Sequence, residues 1–454
     1  MTLGTTVSII DLAERDLAEA APAVVSQRQF WFGLAATVAV GLVVRVVYIW
    51  FWRRGLPVGG DSRYYHEGAN LLAKGKGFVD PYLFLDAGKS VQAADHPPLY
   101  IVYLALFSLF GLTSATAHML ASAVVGVITV AVIGLVGREL GGPRAGLVAA
   151  FLAAIYPNLW AYDGALESET MAQLGVALIL LAAYVWWRAP SRRGAALVGG
   201  AVAFAALARA ELILLAVLLL VPLVMLRAGL SRREQLRQLL FSWGAVALLV
   251  GPWCIYNLTR FERPVLLSTG LETTVDSASC DDTYYGPFTG YWSRRCVDDA
   301  RAKAGLAADA DRSVIAAAYR DDAVHYIRDN LSRVPAVVAA RLGRVTGLWN
   351  LDQQAHLDFF PGGRELDLAW GAWWSYFALA ILSFPGAVLL RRRGPPIFPL
   401  VACPVLVLVT TVITFGLVRY RATAEPTLVL LAAIAIDAAI AKVSARRSSL
   451  EPAA

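Results

Sequence analysis

The sequence predicts an all-α polytopic membrane protein with about ten transmembrane helices, outward juxtamembrane helices and one large extracytoplasmic loop. Three observations carry that expectation. Of 454 residues, 58% are hydrophobic and only 16% charged, with a mean hydropathy of +0.57, outside the range of a water-soluble domain. About ten stretches approach the ~20 apolar residues that a bilayer-spanning helix needs. The basic residues, 40 Lys and Arg against 34 Asp and Glu, sit in short clusters between those stretches. That placement speaks for membrane topology and against nucleic acid as a partner.

Taken in order, residues 1–29 are polar and carry Asp11, Glu14, Asp16 and Glu19. This is unlike a cleavable leader, so the segment reads as a cytoplasmic tail and the run 30–52 as a retained anchor. Tyr48, Trp50 and Trp52 suit its interfacial end. In the first outward loop, 53–113, the apolar piece 97–110 reaches only about 20 Å of a ~30 Å core and is expected to be a juxtamembrane helix. The remaining crossings fall at about 116–136, 145–158, 170–187, 195–208, 211–226, 238–257, 370–390, 396–418 and 424–441. Several are short enough to predict broken or tilted helices.

With this count both termini are cytoplasmic, and so are the basic clusters Arg138/Arg144, Arg188/Arg192/Arg193, Arg227/Arg232/Arg233/Arg237, Arg391/Arg392/Arg393 and Lys442/Arg446/Arg447, as the positive-inside rule requires. Arg53 and Arg54 are exceptions. The organisation is then a 30–257 transmembrane module containing the first loop, an extracytoplasmic loop 258–368, C-terminal helices 369–441 and a cytoplasmic tail 442–454. The large loop has soluble composition, with a helical pattern over Asp311–Asn330 and an apolar-basic stretch, Val334–Trp349, suited to the membrane surface. Cys280 and Cys296 bracket a short piece of it and are expected to pair in an oxidising compartment, contributing roughly 3 kcal/mol in the loop-entropy account. Cys254 and Cys403 lie in apolar spans as small buried hydrophobes. No second Cys or His pair stands at zinc-ligand spacing.

Polar chemistry gathers on the outward side. Asp61, in G-G-D-S-R-Y-Y-H-E, is a candidate general base, and it also suits the N-cap of a helix over Ser62–Ala73. His96 opens the juxtamembrane helix and is able to bind a phosphate or an acceptor hydroxyl, or to cap a turn. Asp163, Glu167 and Glu169 lie within two helical turns where an apolar stretch begins. Carboxylates at that depth are functional candidates; Glu169 is read as the deepest and Glu167 as solvated. Arg209 and Glu211 interrupt the apolar run Ala195–Met225, either as a hairpin pair or with the guanidinium lining an outward cavity and gripping phosphate. Arg419-Tyr420-Arg421 reads as a phosphate clamp or as side chains snorkelling to headgroups. Arg45, inside the first span, requires a partner, expected to be a buried carboxylate. No Walker A loop, G-x-S-x-G elbow or H-E-x-x-H pair is present, which argues against an ATP-driven pump, that type of hydrolase and a zinc protease.

Five motifs occur in sequence: G-D-S-R-Y-Y-H-E-G-A-N-L-L-A-K-G-K-G-F from Gly60 to Phe78, D-H-P-P-L-Y from Asp95, L-E-S-E-T from Leu166, P-W-C-I-Y-N from Pro252 and V-R-Y-R-A-T-A-E-P from Val418. In these the chain resembles the integral membrane glycosyltransferases of the GT-C superfamily. The nearest resemblance is to the family 39 type that includes protein O-mannosyltransferases and lipid A aminoarabinose transferases. The resemblance implies a GT-C fold and a plasma-membrane enzyme that moves a hexose or pentose from a polyprenyl-phosphate donor to a glycan, lipid or protein acceptor on the extracytoplasmic face, with inversion.

Asp61 takes the place of the catalytic acid of the first loop and Glu169 that of the second-loop carboxylate. Arg209, Arg419 and Arg421 would hold the donor phosphate, with Tyr65, His96, Asp163 and Tyr420 as acceptor or sugar contacts. Tyr256 stands where many relatives carry Arg, and Asp61-Ser62 replaces the Asp-Glu pair of the protein mannosyltransferases. Without an unmistakable D-x-D no required metal cofactor is expected, although Asp61, Asp163 and Glu169 could assemble a divalent site. Two other readings stand beside this one. A transporter or lipid carrier would show inverted repeats, which are not found; a non-catalytic envelope-assembly protein would use the large loop for docking.

Overall fold

The computed structural model describes residues 25–359 and 363–448; the expected tail 1–29 lies almost wholly outside these, and the tail 442–454 in part. Helix α1 (Gln27–Tyr48) opens on a capping box, Ser26 accepting from the Gln29 N–H at 3.2 Å while its own N–H donates to the Gln29 side chain at 2.8 Å. It widens into a π-turn over Ile49–Arg53. The extra residue in that turn leaves Trp50, Phe51 and Trp52 exposed and Arg53 buried, with Arg53 Nε donating to the Gly164 carbonyl at 3.1 Å. Arg54 lies over the Trp50 ring at 4.1 Å. Both exceptions to the charge rule thus have local partners.

Helix α2 (Gly60–Ala73) begins one residue before Asp61. Asp61 therefore sits in the first turn, where the helix dipole favours a carboxylate, and Gly59 is the cap. Helix α3 (Leu99–Leu109) has 11 residues, too few to span a bilayer. Helix α4 (Ala115–Gly141) is capped by Ser114, which accepts from the Ala117 N–H at 3.2 Å. Helices α5 (Pro143–Ile155) and α6 (Pro157–Ala165) are bent by 43°, Pro157 having no N–H to continue the ladder. The second outward loop read from the sequence is thus mostly helix.

Helices α7 (Glu169–Arg188) and α8 (Arg192–Ala208) follow, then a 3-10 turn, Ala210–Leu214, and two short helical pieces, Leu215–Leu218 and Leu220–Met225. Beyond them come α9 (Arg232–Arg260), α10 (Arg312–Asp329), α11 (Val334–Thr346), α12 (Leu366–Arg393), α13 (Phe398–Ile413), a 3-10 turn over Val418–Thr423, and α14 (Glu425–Ser448).

The all-α class holds, but the count of ten spans is not reached on length. Among the described residues six helices are long and apolar enough to cross a bilayer, seven with the bent α5–α6 pair. The expected span 211–226 breaks at Leu219, α8 has 17 residues and α13 has 16. Close helix approach rests on small residues: a Cβ on Gly199 would strike the Ser242 carbonyl, and one on Gly386 the Leu431 carbonyl.

Between α9 and α12 the chain builds a helical unit in which Cys280 and Cys296 are disulfide-linked with Cα atoms 5.4 Å apart. Helix α11 turns its basic residues inward: Arg341 donates to the Val412 and Ala278 carbonyls at 2.8 and 3.1 Å, and Arg344 to the Thr289 carbonyl at 2.7 Å. The unit is tied to the first loop by Asp80–Arg312, by Lys89–Asp309 at 2.7 Å and by the Thr269 N–H on the Ala94 carbonyl at 2.8 Å. The piece that carries His96 is therefore held from both sides.

Candidate active site

Three carboxylates converge on one guanidinium. The 3-10 turn Val418–Thr423 brings Arg419 to the start of α7, where its Nη1 meets Asp61 Oδ2 at 3.0 Å, its Nη2 meets Glu167 Oε2 at 2.8 Å and its Nε meets Glu169 Oε1 at 2.9 Å. Glu169 is fully buried, while Asp61 keeps 39% of its side chain exposed. Arg209 adds a second cation, bonded to Glu169 and, at 2.6 Å, to Glu211. Arg209 thus pairs locally with Glu211 and also faces the cluster.

The other oxygen of Asp61 faces His96 Nε2 at 3.5 Å. The imidazole is held between the rings of Tyr64 and Tyr65, at 5.1 and 4.8 Å, and Tyr65 donates to Ser168 Oγ at 3.0 Å. Burial opposes charge on Asp61, but His96 and Arg419 outweigh it and hold this carboxyl well below the usual range. Burial raises the Glu167 carboxyl; Arg419 pulls it down, Asp61 and Glu169 push it up, and the balance lies well above the usual range. Arg419 thus holds two carboxyls whose surroundings push them in opposite directions.

The structure brings together Asp61, Glu169, Arg209, Arg419, His96 and Tyr65, all singled out from the sequence. Sequence reasoning missed Glu167, which is buried and accepts from Ser62 Oγ at 3.2 Å instead of facing water. The cause is local: Leu166 adopts φ 55, a left-handed turn that folds residues 167–169 back over the start of α7. Only the E-S-E spacing at a helix start hinted at it.

Two assignments are corrected. Asp163, expected to touch sugar, is fully buried and bonded to Arg45 Nε at 2.7 Å, which supplies the partner that Arg45 required. Arg421 does not join Arg419: at about 120° per residue in a 3-10 turn, side chains two apart point different ways. Arg421 is instead bonded to Glu425 at 2.6 Å and packed on Tyr376 and Trp373. Tyr420 is nearly buried, with the Arg209 guanidinium 5.6 Å from its ring centre, so it serves as a platform for that cation. The trio Asp61, Asp163 and Glu169 is not assembled, and among the described residues no three His, Cys, Asp or Glu side chains form a metal-ligand set.

Residues 95–260 match the family of dolichyl-phosphate-mannose-protein mannosyltransferases. This stretch holds His96, Glu167, Glu169 and Arg209; Asp61 and Arg419 lie outside it. The fold is similar to the archaeal oligosaccharyltransferase AglB from Archaeoglobus fulgidus in complex with an inhibitory peptide and a dolichol-phosphate, at TM-score 0.55 and 15% identity, covering 94% of this chain and 52% of that one. The same enzyme tethered to an acceptor peptide matches at TM-score 0.55 and 17% identity, covering 94% and 51%. The chain has a GT-C fold. It spans about half the length of those oligosaccharyltransferases. ArnT from Cupriavidus metallidurans bound to undecaprenyl phosphate aligns at TM-score 0.44 and 16% identity over 88% of this chain and 77% of that one. No curated protein sequence matches this chain.

Proposed function

We propose that the chain is an inverting glycosyltransferase that takes a sugar from a polyprenyl-phosphate carrier and gives it to an acceptor hydroxyl on the extracytoplasmic face of the plasma membrane. The observation that carries this reading is the single Arg419 fork bridging Asp61, Glu167 and Glu169 beside His96. The matched mannosyltransferase family takes its name from a dolichyl-phosphate sugar, and the AglB complex holds a dolichol-phosphate; both support the same donor class here.

In this reading Asp61 accepts the proton of the acceptor hydroxyl, and the resulting oxygen attacks the anomeric carbon from the face opposite the phosphate. The bond from carbon to phosphate oxygen breaks, and the electron pair leaves with the polyprenyl phosphate, whose growing charge Arg419 and Arg209 hold. His96 steers Asp61, and Glu169 holds both guanidinium groups in place. A phosphate departs without an added acid. The alternative of a carrier without chemistry has no specific observation in its favour.

The test is transfer of radiolabel from a panel of polyprenyl-phosphate sugars to membrane acceptors by wild type and Asp61→Asn at equal membrane levels. Transfer by wild type alone is the expected result and would name the sugar. Equal transfer by both would remove Asp61 as the base, and no transfer from any donor would remove the reaction class.

A further inference from the structure

We infer that Arg45, Asp163 and Thr170 form a positioning device, set within the membrane-facing part of the protein, that fixes the turn carrying Glu167 and Glu169; the inference rests on the reaction proposed above. Asp163 lies near the end of α6 and Thr170 is the second residue of α7. One carboxylate spans the turn between them: Asp163 Oδ1 accepts from Thr170 Oγ1 at 2.7 Å, and Asp163 Oδ2 accepts from Arg45 Nε at 2.7 Å. Both sides of the turn between α6 and α7 are thereby held by a single side chain, and the two acidic residues of the Arg419 cluster sit between Asp163 and Thr170.

Arg45 reaches in from α1. Its Nη2 donates to the Leu159 carbonyl at 3.3 Å and its Nη1 to the Gly41 carbonyl at 3.1 Å, so its orientation is fixed by backbone on both helices. Room for the pair comes from Gly126 on α4, where a Cβ would collide with Arg45 Nε and Asp163 Oδ2. Neither Arg45 nor Asp163 has any exposed surface. They cannot touch substrate. They act through the turn, whose left-handed Leu166 would lose its constraint if either end were released. An ion pair placed only to hold helices together would not need the third contact, to Thr170.

Thr170→Val tests this with the ion pair left intact, since valine keeps the shape and removes only the hydroxyl. Positioning predicts that kcat falls by about tenfold or more, the factor that 1.4 kcal/mol of misplacement gives, while the donor KM changes by less than about threefold. Amide exchange over residues 164–171 quickens, the unfolding midpoint drops only by what one stranded buried acceptor costs, and Thr170→Ser restores both kcat and the midpoint. Gly126→Ala, which presses on the pair from outside, lowers kcat in the same way. Unchanged kcat in Thr170→Val, or a fall in kcat with no quickening of exchange over 164–171, would overturn the device. If wild type transfers no sugar from any donor, the reaction proposal fails on its own. The exchange measurement then decides: unaltered exchange over 164–171 in Thr170→Val would also end the inference.

Discussion

Replacing Arg419 by lysine tests whether one planar fork is what organises the site. The guanidinium reaches Asp61, Glu167 and Glu169 at 3.0, 2.8 and 2.9 Å through three nitrogens. A hydrogen bond to a charged group contributes about 1.5–3 kcal/mol net, so three sum to about 5–9 kcal/mol as an upper bound. The sum needs discounting, because Asp61 is 39% and Arg419 22% exposed and water replaces part of what is lost. Lysine keeps the charge but offers one nitrogen, which satisfies one or two of the three partners. The expected cost is about 2–4 kcal/mol in stability on that accounting, and about 10²–10³-fold in kcat where the fork also holds charge on the departing phosphate.

Arg419→Gln removes the cation altogether and costs about 3–5 kcal/mol, the range for stranding a buried charge partner. The pH sign follows from Asp61, whose carboxyl is held low in the folded protein. Its contribution is present above the unfolded carboxyl pKa of about 4 and is lost as pH falls through the folded value. The gap in unfolding midpoint between wild type and Arg419→Gln therefore holds from about pH 8 to about pH 5 and narrows only as the pH falls below about 4. Thermal unfolding of detergent-purified protein across that range, with single-turnover transfer, supplies both numbers. A lysine variant with wild-type kcat and an unshifted midpoint at pH 8 would refute the idea that the fork is needed.

Glu167→Gln should flatten the pH dependence of the donor KM. In wild type, rising pH strips the proton that burial, Asp61 and Glu169 help retain on Glu167; the new charge draws Arg419 away from phosphate and raises KM by up to about tenfold per pKa unit of coupling. KM measured for both proteins across the pH range in which each stays folded checks this, and parallel curves would refute it. Asp276 is buried with neither carboxylate oxygen hydrogen-bonded, and burial, aided by Asp322 against Lys303, pushes its carboxyl up to about 8. The folded state keeps this proton longer than the unfolded chain, so stability falls as pH rises from about 4 to 8. Asp276→Asn should stabilise the Gly270–Asp276 region at pH 8 by about 1–3 kcal/mol, read as slower amide exchange there. Cys280→Ser should cost the loop roughly 3 kcal/mol, seen as faster limited proteolysis between α9 and α12; unchanged cleavage with and without reductant would count against a stabilising bridge.

The apolar runs were legible because hydropathy is set residue by residue, and each expected crossing is helical at least in part. Their number was not, because a bend at Pro157 or a break at Leu219 depends on packing that no window of sequence contains. Asp61 was readable from its motif and from the short turn after an aromatic helix end. Glu167 was not, since a glutamate in an E-S-E stretch reads as solvated until the left-handed Leu166 folds it inward. The Arg45 requirement was visible, but its partner lies 118 positions away, and nothing local separates Asp163 from the two acidic residues that follow it. Arg419 and Arg421 look equivalent in a string of letters. A 3-10 turn separates them, and the packing of α12 and α14 decides which one faces the cluster.

The charge balance of the cluster bears on how the proposed reaction gains rate. Asp61, Glu167, Glu169 and Glu211 face Arg209 and Arg419, so the resting site is already neutralised or negative and has little to offer an anion. A polyprenyl-phosphate sugar is a diester with one negative charge, and the polyprenyl phosphate that departs gains a second. As that charge grows, Asp61 takes the acceptor's proton and loses its own. The total charge around Arg419 stays constant and moves from one of its partners to another. An arginine shared between base and leaving group therefore binds the transition state better than either end of the reaction, because the guanidinium is released by Asp61 as the phosphate comes to need it. A lone cation on the phosphate would hold donor and product too tightly, and a lone carboxylate would have no means of coupling proton transfer to bond cleavage. The geometry that pairs Asp61 with Arg419 at 3.0 Å suits the coupled step, in which the proposed base gains proton affinity as Arg419 turns to the phosphate.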